Sequence, residues 1–596
     1  MTLNQEPTMN RFYRYASHSA AFMSLAAALG ACNPSKPSPS QTVTSASSVP
    51  SGSVGATHAK QEANALLNTY LLELAKLEKA QALAYWTAAN SGKKEDFDAA
   101  ARAELELKKL HSSADRYRQI VSLLERKSEL EPLTVRSLEI AELAFKGNQL
   151  PPELLEKMVN ASSEIEKTFN TFRAQLEGKK YSNNELLDML AKQKDSKKRQ
   201  AIWEGLKQVG ERVGPQIIAL AKIRNEAATK LGYANYWDMQ VRLQEHDPER
   251  LMTLFQELEN LTNAPFAAMK TKLDEELAQK LHVRPEEMMP WHYDNPFFQD
   301  APPSSNVDLD DFYQGKKKED IVAIAKQFYS DIGIDITPVL DKSDLYERDG
   351  KDQHAFCIAI DREGDVRTLL NIKPKAEWMD TMLHEQGHAV YYRLLDHELP
   401  YNLREAAHIF TTEAIAMMFG ALAKNPTWMT HYVGADKKKV KAAEADILEQ
   451  RRREQLIFTR WTLVMLHFEK ALYENPDQDL NQLWWDIVEK YQSLRRPPHR
   501  HAADWASKPH FTIAPVYYHN YMLGELFASQ LRASLATFAR HEGPTSTLSF
   551  NGRKEFGEFL TNKVFKPGMR MKWPQFVRAA TGEELTAKYF AREVAR

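Results

Sequence analysis

The sequence predicts a mainly α fold, and three observations carry that expectation. Glycine is scarce, at 23 of 596 residues, while Ala, Leu, Glu and Lys abound, the residues that lose least on entering a helix. Long stretches repeat apolar residues every three to four positions, and the clear β-like signal is confined to one short stretch. Apolar residues make up 43% and charged residues 27%, enough for a large core in one domain or two lobes. Lys+Arg 78 against Asp+Glu 80 leaves no charge excess to draw nucleic acid or an anionic membrane face.

In chain order, the N-terminus comes first. Arg11 and Arg14 precede a short apolar run at 20–29, and Gly30-Ala31-Cys32 follows. A basic segment, a short apolar run and small residues describe a secretory signal, and the run is too short to span a bilayer. Leu29-Gly30-Ala31-Cys32 resembles the bacterial lipobox, which implies that residues 1–32 are a signal peptide and Cys32 carries lipid. Residues 33–57 are Ser, Thr, Pro and Gly with almost no large apolar side chain, so they are expected to form a flexible tether. The globular body would then span 58–596. This order implies export and a lipid anchor in the bacterial envelope, facing the periplasm. By resemblance to bacterial lipoprotein sorting, Asn33, a non-Asp residue after the cysteine, implies the outer membrane rather than the inner. With Cys32 and Cys357 as the only cysteines, no disulfide framework exists.

Helices are expected over 61–89, 96–128, 153–176, 184–231 and 319–332, the first with Leu66, Leu67, Tyr70, Leu71, Leu74 and Leu77 at helical spacing. Asp247-Pro248 reads as a cap and first turn of another. Residues 284–307, rich in Pro and aromatics, form a long connection of the kind that lines binding sites. Two β-rich runs, 355–360 and 366–372, flank a Gly-containing turn and read as a hairpin. That hairpin ends just before the next helix, where an edge strand could hold an extended peptide. The basic runs at 437–439 and 451–453 read as solvated helix faces, and Cys357 as a small buried hydrophobe.

The chemistry concentrates at 377–395, a helical stretch in which Trp378, Met382, Leu383, Val390, Tyr391 and Leu394 can bury most of the circumference. It contains His384-Glu385-x-x-His388, which puts two imidazoles one turn apart on one face, close enough to share one metal ion. Neutral imidazoles suit Zn2+, and the Glu385 carboxylate can take a proton from a metal-bound water. A catalytic zinc needs a third protein ligand and one open position. The apolar run 406–422 embeds one acid, Glu413, 25 residues after His388, and a buried acid is costly unless paired or metal-bound. Glu413 is the leading candidate, with His408 and Glu405 as rivals.

Two histidines and a glutamate from the next helix form the gluzincin arrangement. Arg404-Glu405 followed by Glu413-Ala414-Ile415 resembles the peptidyl-dipeptidase family of angiotensin-converting enzyme. His354-Ala355 lies 30 residues before His384, at that family's spacing for a pair that holds substrate backbone. Trp484-Trp485, Lys490-Tyr491-Gln492, Pro497-Pro498, Lys508-x-His510 and Tyr518-x-x-Tyr521 follow in the family's order, so the likeness runs from about residue 60 to the end. The resemblance implies that His384, His388 and Glu413 hold one catalytic Zn2+ and that Glu385 is general base, then proton donor. Tyr521 and His510 would stabilise the oxyanion, Lys508 and Tyr518 would grip the substrate's terminal carboxylate, and His354 and Ala355 would bind its backbone. It further implies two helical lobes around a deep channel, a small sheet beside the zinc, and oligopeptide substrates that lose C-terminal dipeptides.

Several positions depart from the family pattern. The histidine-orienting Asp is Met417, and the two arginines tied to chloride activation are Val488 and Asn520, so turnover is expected to change little with chloride. The carboxylate-binding Gln falls near Tyr293. One extra residue separates His510 from Tyr518, and another separates His388 from Glu405. These gaps keep an endo-acting zinc oligopeptidase as the alternative, beside a peptide-binding lipoprotein without turnover.

Overall fold

The computed structural model describes residues 52–303 and 307–595. The stretches expected as signal peptide and tether, up to residue 51 and with Cys32 among them, lie outside the described residues. The fold is mainly α, with two small antiparallel hairpins.

Helix α1 (Gly52–Ser91) starts inside the span assigned to the tether and packs along α2 (Lys94–His111). Its buried stripe is Ala59, Ala63, Leu67, Tyr70 and Leu74, a helical repeat that extends the expected one towards the N-terminus. Leu66, Leu71 and Leu77 sit at the stripe's margin, and Leu72 faces solvent. The stretch expected as one helix at 96–128 breaks after α2. Ser113 caps α3 (Ala114–Glu125) by accepting from the Arg116 N–H, and a hydroxyl so placed competes with continuation of the helix. With α4 (Pro132–Lys146), these helices enclose a small core of their own that includes Tyr401.

Helix α5 (Pro152–Thr171) is shorter than expected. Residues 174–176 are strand β1 (Ala174–Leu176), paired with β2 (Lys179–Tyr181) around Glu177 and Gly178, both at positive φ. The stretch 184–231 likewise divides, into α6 (Asn183–Lys192) and α7 (Ser196–Lys230). Asp195 caps the second by accepting from the Lys198 N–H at 2.9 Å. Asp247 does cap α9 (Pro248–Leu281), which follows α8 (Tyr236–Leu243). The connection at 284–307 is long and carries only short helical turns among its described residues.

After α10 (Lys318–Asp331), strands β3 (Phe356–Ala359) and β4 (Val366–Leu369) form the expected hairpin, Phe356 opposite Leu369 and Ala359 opposite Val366. Asp344 bridges to Leu369 on the β4 side, and among the described residues no strand pairs with the outer edge of β3. Helix α11 (Ala376–Arg393) packs on this hairpin and on α12 (Ile409–Gly420). The two helices approach closely through Gly387, where a β-carbon would lie 2.9 Å from Ala416 Cα. Helix α13 (Lys437–Glu474), α14 (Leu480–Gln492) and α15 (His519–Phe538) complete the principal core, with α15 along α12. On α13 the solvated reading of 451–453 fails for Arg453, which is buried and makes a two-pronged pair with Glu276 at 2.6 and 2.9 Å. That face of α13 meets α9, so its arginine needs an internal counter-charge. No helix among the described residues is long and apolar enough to cross a membrane.

Candidate metal centre

His384 and His388 stand one turn apart on α11, with Nε2 atoms 3.2 Å from each other. Glu413, in the second turn of α12, brings Oε2 to 3.9 Å from His384 Nε2 and 4.0 Å from His388 Nε2. A tetrahedral zinc with Zn–N near 2.0–2.1 Å would space its ligand atoms by about 3.3 Å, so the three atoms surround a point at ligand distance. Among the described residues this is the group of three such side chains with ligand atoms mutually within 4.8 Å. Glu413 Oε2 is buried and has no hydrogen-bond partner. Burial alone pushes the Glu413 carboxyl up to about 8. A carboxylate that is hard to ionise and has no donor aimed at it suits a cation, and two imidazole nitrogens beside it suit zinc. The fit is good.

The rivals for the third position are engaged elsewhere. His408 caps α12: Nε2 donates to the Gln244 carbonyl at 2.7 Å and Nδ1 accepts from the Phe410 N–H. Glu405 accepts from the Ala406 N–H and faces Arg362 at 3.7 Å, while Arg404 reaches the Leu399 carbonyl and Glu363.

Glu385 is buried beside the three atoms and takes a hydrogen bond from the Cys357 backbone N–H. Burial, then the nearby Glu413, pushes its carboxyl up to about 8. A buried carboxyl held by one donor beside the three ligand atoms is placed to exchange a proton with a water there. Cys357 itself is half-buried against Val339, Val366 and Ala389, its thiol pushed up by burial, so it stays a small hydrophobe. His354 and Ala355 immediately precede β3, with His354 half-exposed and its backbone N–H on Asp352 Oδ1 at 2.9 Å. Both residues thus lead into a strand whose outer edge pairs with no other strand among the described residues.

A second buried group gathers the remaining residues expected at the site. Lys508 donates to Gln299 Oε1 at 2.6 Å, and the Trp461, Phe297 and Tyr518 rings surround its ammonium at 5.2, 5.5 and 5.5 Å. Burial pulls the Lys508 amine down to about 7, opposed by Asp300. Trp461 Nε1 donates to Tyr518 Oη at 2.7 Å, which makes that oxygen an acceptor there and directs its own O–H elsewhere. The His510 ring lies 5.1 Å from that of Tyr518, and Tyr518 lies 5.3 Å from Tyr521. Burial, then Lys508, holds His510 well below the usual imidazole range, so it is neutral with one N–H to give. Tyr521 is one turn before Gly524 on α15, where a β-carbon would lie 3.3 Å from Glu413 Cβ. That contact joins the tyrosine helix to the metal-ligand helix.

The structure corrects one expectation. Tyr293 is not at this group; it donates to Asp274 at 2.7 Å and accepts from Lys270 at 2.8 Å. Gln299 takes the place beside Lys508, its Nε2 buried and without a partner. No periodicity marks Gln299, which ends an aromatic loop run, Phe297-Phe298-Gln299. At the positions of the absent arginines, Val488 is buried and apolar, and Asn520 donates to Gln244 Oε1 at 2.7 Å while its Oδ1 meets His246 Nε2 at 3.3 Å.

The sequence profile described as angiotensin-converting enzyme matches residues 57–591. The chain is similar to the pig angiotensin-converting enzyme, 24% identical over 480 residues, 75% of this chain and 36% of that one. Its mouse counterpart is 23% identical over 467 residues, 73% of this chain and 35% of that one. Carboxypeptidase 1 of Bacillus subtilis (strain 168) is 26% identical over 269 residues, 40% of this chain and 50% of that one. The matches thus span from about a third to half of the length of these relatives.

Proposed function

The chain belongs to the angiotensin-converting enzyme family of peptidases, and from that premise we propose that it is a zinc metallopeptidase releasing C-terminal dipeptides from oligopeptides. The observation that carries the proposal is the convergence of His384 Nε2, His388 Nε2 and the partnerless Glu413 Oε2 on one point. A zinc ion held by these three would supply a polarised water that loses a proton near neutral pH. Glu385 takes that proton and returns it to the leaving amine. Tyr521 and neutral His510 donate to the carbonyl oxygen as it gains charge, the step at which preplaced donors matter most. The backbone at His354, Ala355 and the open edge of β3 holds the peptide extended. Lys508, Gln299 and Tyr518 hold its terminal carboxylate, and this buried cation favours removal of an end over an internal cut. No chloride requirement belongs to the proposal, since Val488 and Asn520 offer an apolar and a neutral side chain.

Digestion of one unstructured peptide and its C-terminally amidated form, read by mass, tests the proposal. Sequential dipeptide loss that amidation abolishes supports it. Internal fragments from both forms would make the protein an endo-acting oligopeptidase, and intact peptides a binder without turnover.

Lys508→Met is expected to lower kcat/KM for the free-carboxylate peptide by roughly 10- to 100-fold, the loss of one hydrogen bond between charged groups. Since the amine sits near 7, binding of free peptides should weaken as pH rises through that value and the charge is lost. Steady-state KM between pH 6 and 8.5 checks this, and the trend should vanish in the variant.

The proposal includes export and lipid attachment at Cys32, motivated by Leu29-Gly30-Ala31-Cys32 and the polar segment after it. Cys32→Ser is expected to move the protein from the membrane fraction to the soluble one, and equal membrane association of both forms would remove the anchor from the account.

A further inference from the structure

The two imidazoles turn their Nε2 atoms towards Glu413, so their Nδ1 atoms face outward. Outward-facing nitrogens of metal-binding histidines need a partner, which sets the tautomer and the ring's orientation. His388 has one: Thr412 Oγ1 lies 2.7 Å from its Nδ1. The acid that family resemblance leads one to expect four residues after Glu413 is Met417, which cannot serve His384.

A buried acid nonetheless stands beside His384, on α11 itself. Asp380 is 6% exposed and one turn earlier on the same helix. Side chains on a helix lean towards its N-terminus, which brings the His384 side chain over the Asp380 turn. Gly420, at the end of α12, marks where they meet. A β-carbon there would lie 2.6 Å from Asp380 Oδ1 and 3.4 Å from His384 Cβ. The carboxylate and the root of the imidazole thus flank one point, and only glycine leaves it open to the acid.

We propose that Asp380 is the positioning residue for His384. Its carboxylate accepts the outward ring N–H and leaves Nε2 with the lone pair a metal needs, the part the missing acid at Met417 would have played. Gly420 is the space that admits it. The acid stands on the first ligand helix rather than the second, and Gly420 leaves the room it occupies. The inference rests on the reading of His384 as a metal ligand.

The test is the zinc dissociation constant of the purified protein, measured by competition with a chromophoric chelator and without any turnover assay. Asp380→Asn is expected to weaken zinc binding about 10- to 100-fold, the usual effect of losing an outer partner, with the melting of the zinc-free protein little changed. Gly420→Ala should weaken it comparably by displacing the carboxylate, yet add little in the Asp380→Asn background. Asparagine and wild-type proteins that bind zinc equally would overturn the assignment, as would Gly420→Ala and Asp380→Asn effects that multiply. A wild-type protein that binds no zinc would overturn both this assignment and the metal centre beneath it.

Discussion

Replacing Glu385 by glutamine is expected to lower kcat by about 10²- to 10⁴-fold while zinc content and peptide affinity stay near wild type. The two side chains have the same shape, and glutamine can still accept the Cys357 N–H that the carboxylate accepts now. What it lacks is a site for a proton in transit. Glu385 is buried beside Glu413, and both carboxyls are pushed up to about 8, so neither is comfortable as an isolated anion. The substitution removes the cost of ionising one of two buried carboxyls and so should not cost stability. Single-turnover kinetics with parallel metal analysis checks this. A glutamine variant that keeps full turnover would remove Glu385 from the proton path, and one that loses zinc would make its role structural.

The second large effect is expected at Glu413. Glutamine there leaves a neutral oxygen in place of the one anionic ligand, and zinc affinity should fall by more than about 10²-fold, beyond the usual effect of an outer partner. Activity goes with it. The stability change should have opposite signs with and without metal. In a chelator, burial pushes the wild-type Glu413 carboxyl up to about 8, and a neutral amide of the same shape avoids the cost of the buried charge, which leaves the variant at least as stable. With zinc at 1,000 times the wild-type Kd, wild type gains about 4 kcal/mol by mass action, while a variant that binds at least 10²-fold more weakly gains at most about 1.4 kcal/mol. Melting curves of both proteins in chelator and in zinc decide it. A variant that is equally stabilised by zinc would exclude Glu413 as a ligand.

Much of this centre is legible in the chain because helices impose a period. His384 and His388 share a face since α11 has 3.6 residues per turn, and Glu413 stands out as an acid in an apolar run. Lys508, His510, Tyr518 and Tyr521 carry no such signal and stand out only by the resemblance of their motif order. The missed residues carry no signal that sets them apart from their neighbours in the chain. Gln299 ends an irregular loop, Trp461 lies among many apolar positions of α13, and Asp380 reads as an ordinary polar residue until Gly420 is seen against it. The same limit shaped the helix boundaries. Apolar spacing continued through Ser112-Ser113 and through Lys194-Asp195, yet local caps broke both stretches. At 174–176 a two-residue turn with positive φ made a strand of a stretch whose pattern also suited a helix.

The central claim is tested most directly by X-ray absorption at the zinc edge on protein purified without added metal. The account expects one zinc per chain with two imidazole nitrogens at about 2.0–2.1 Å, a carboxylate oxygen and a water oxygen at similar distance, and loss of one imidazole in His388→Ala. Protein free of zinc and unable to bind it, or zinc held without two imidazoles, would contradict it.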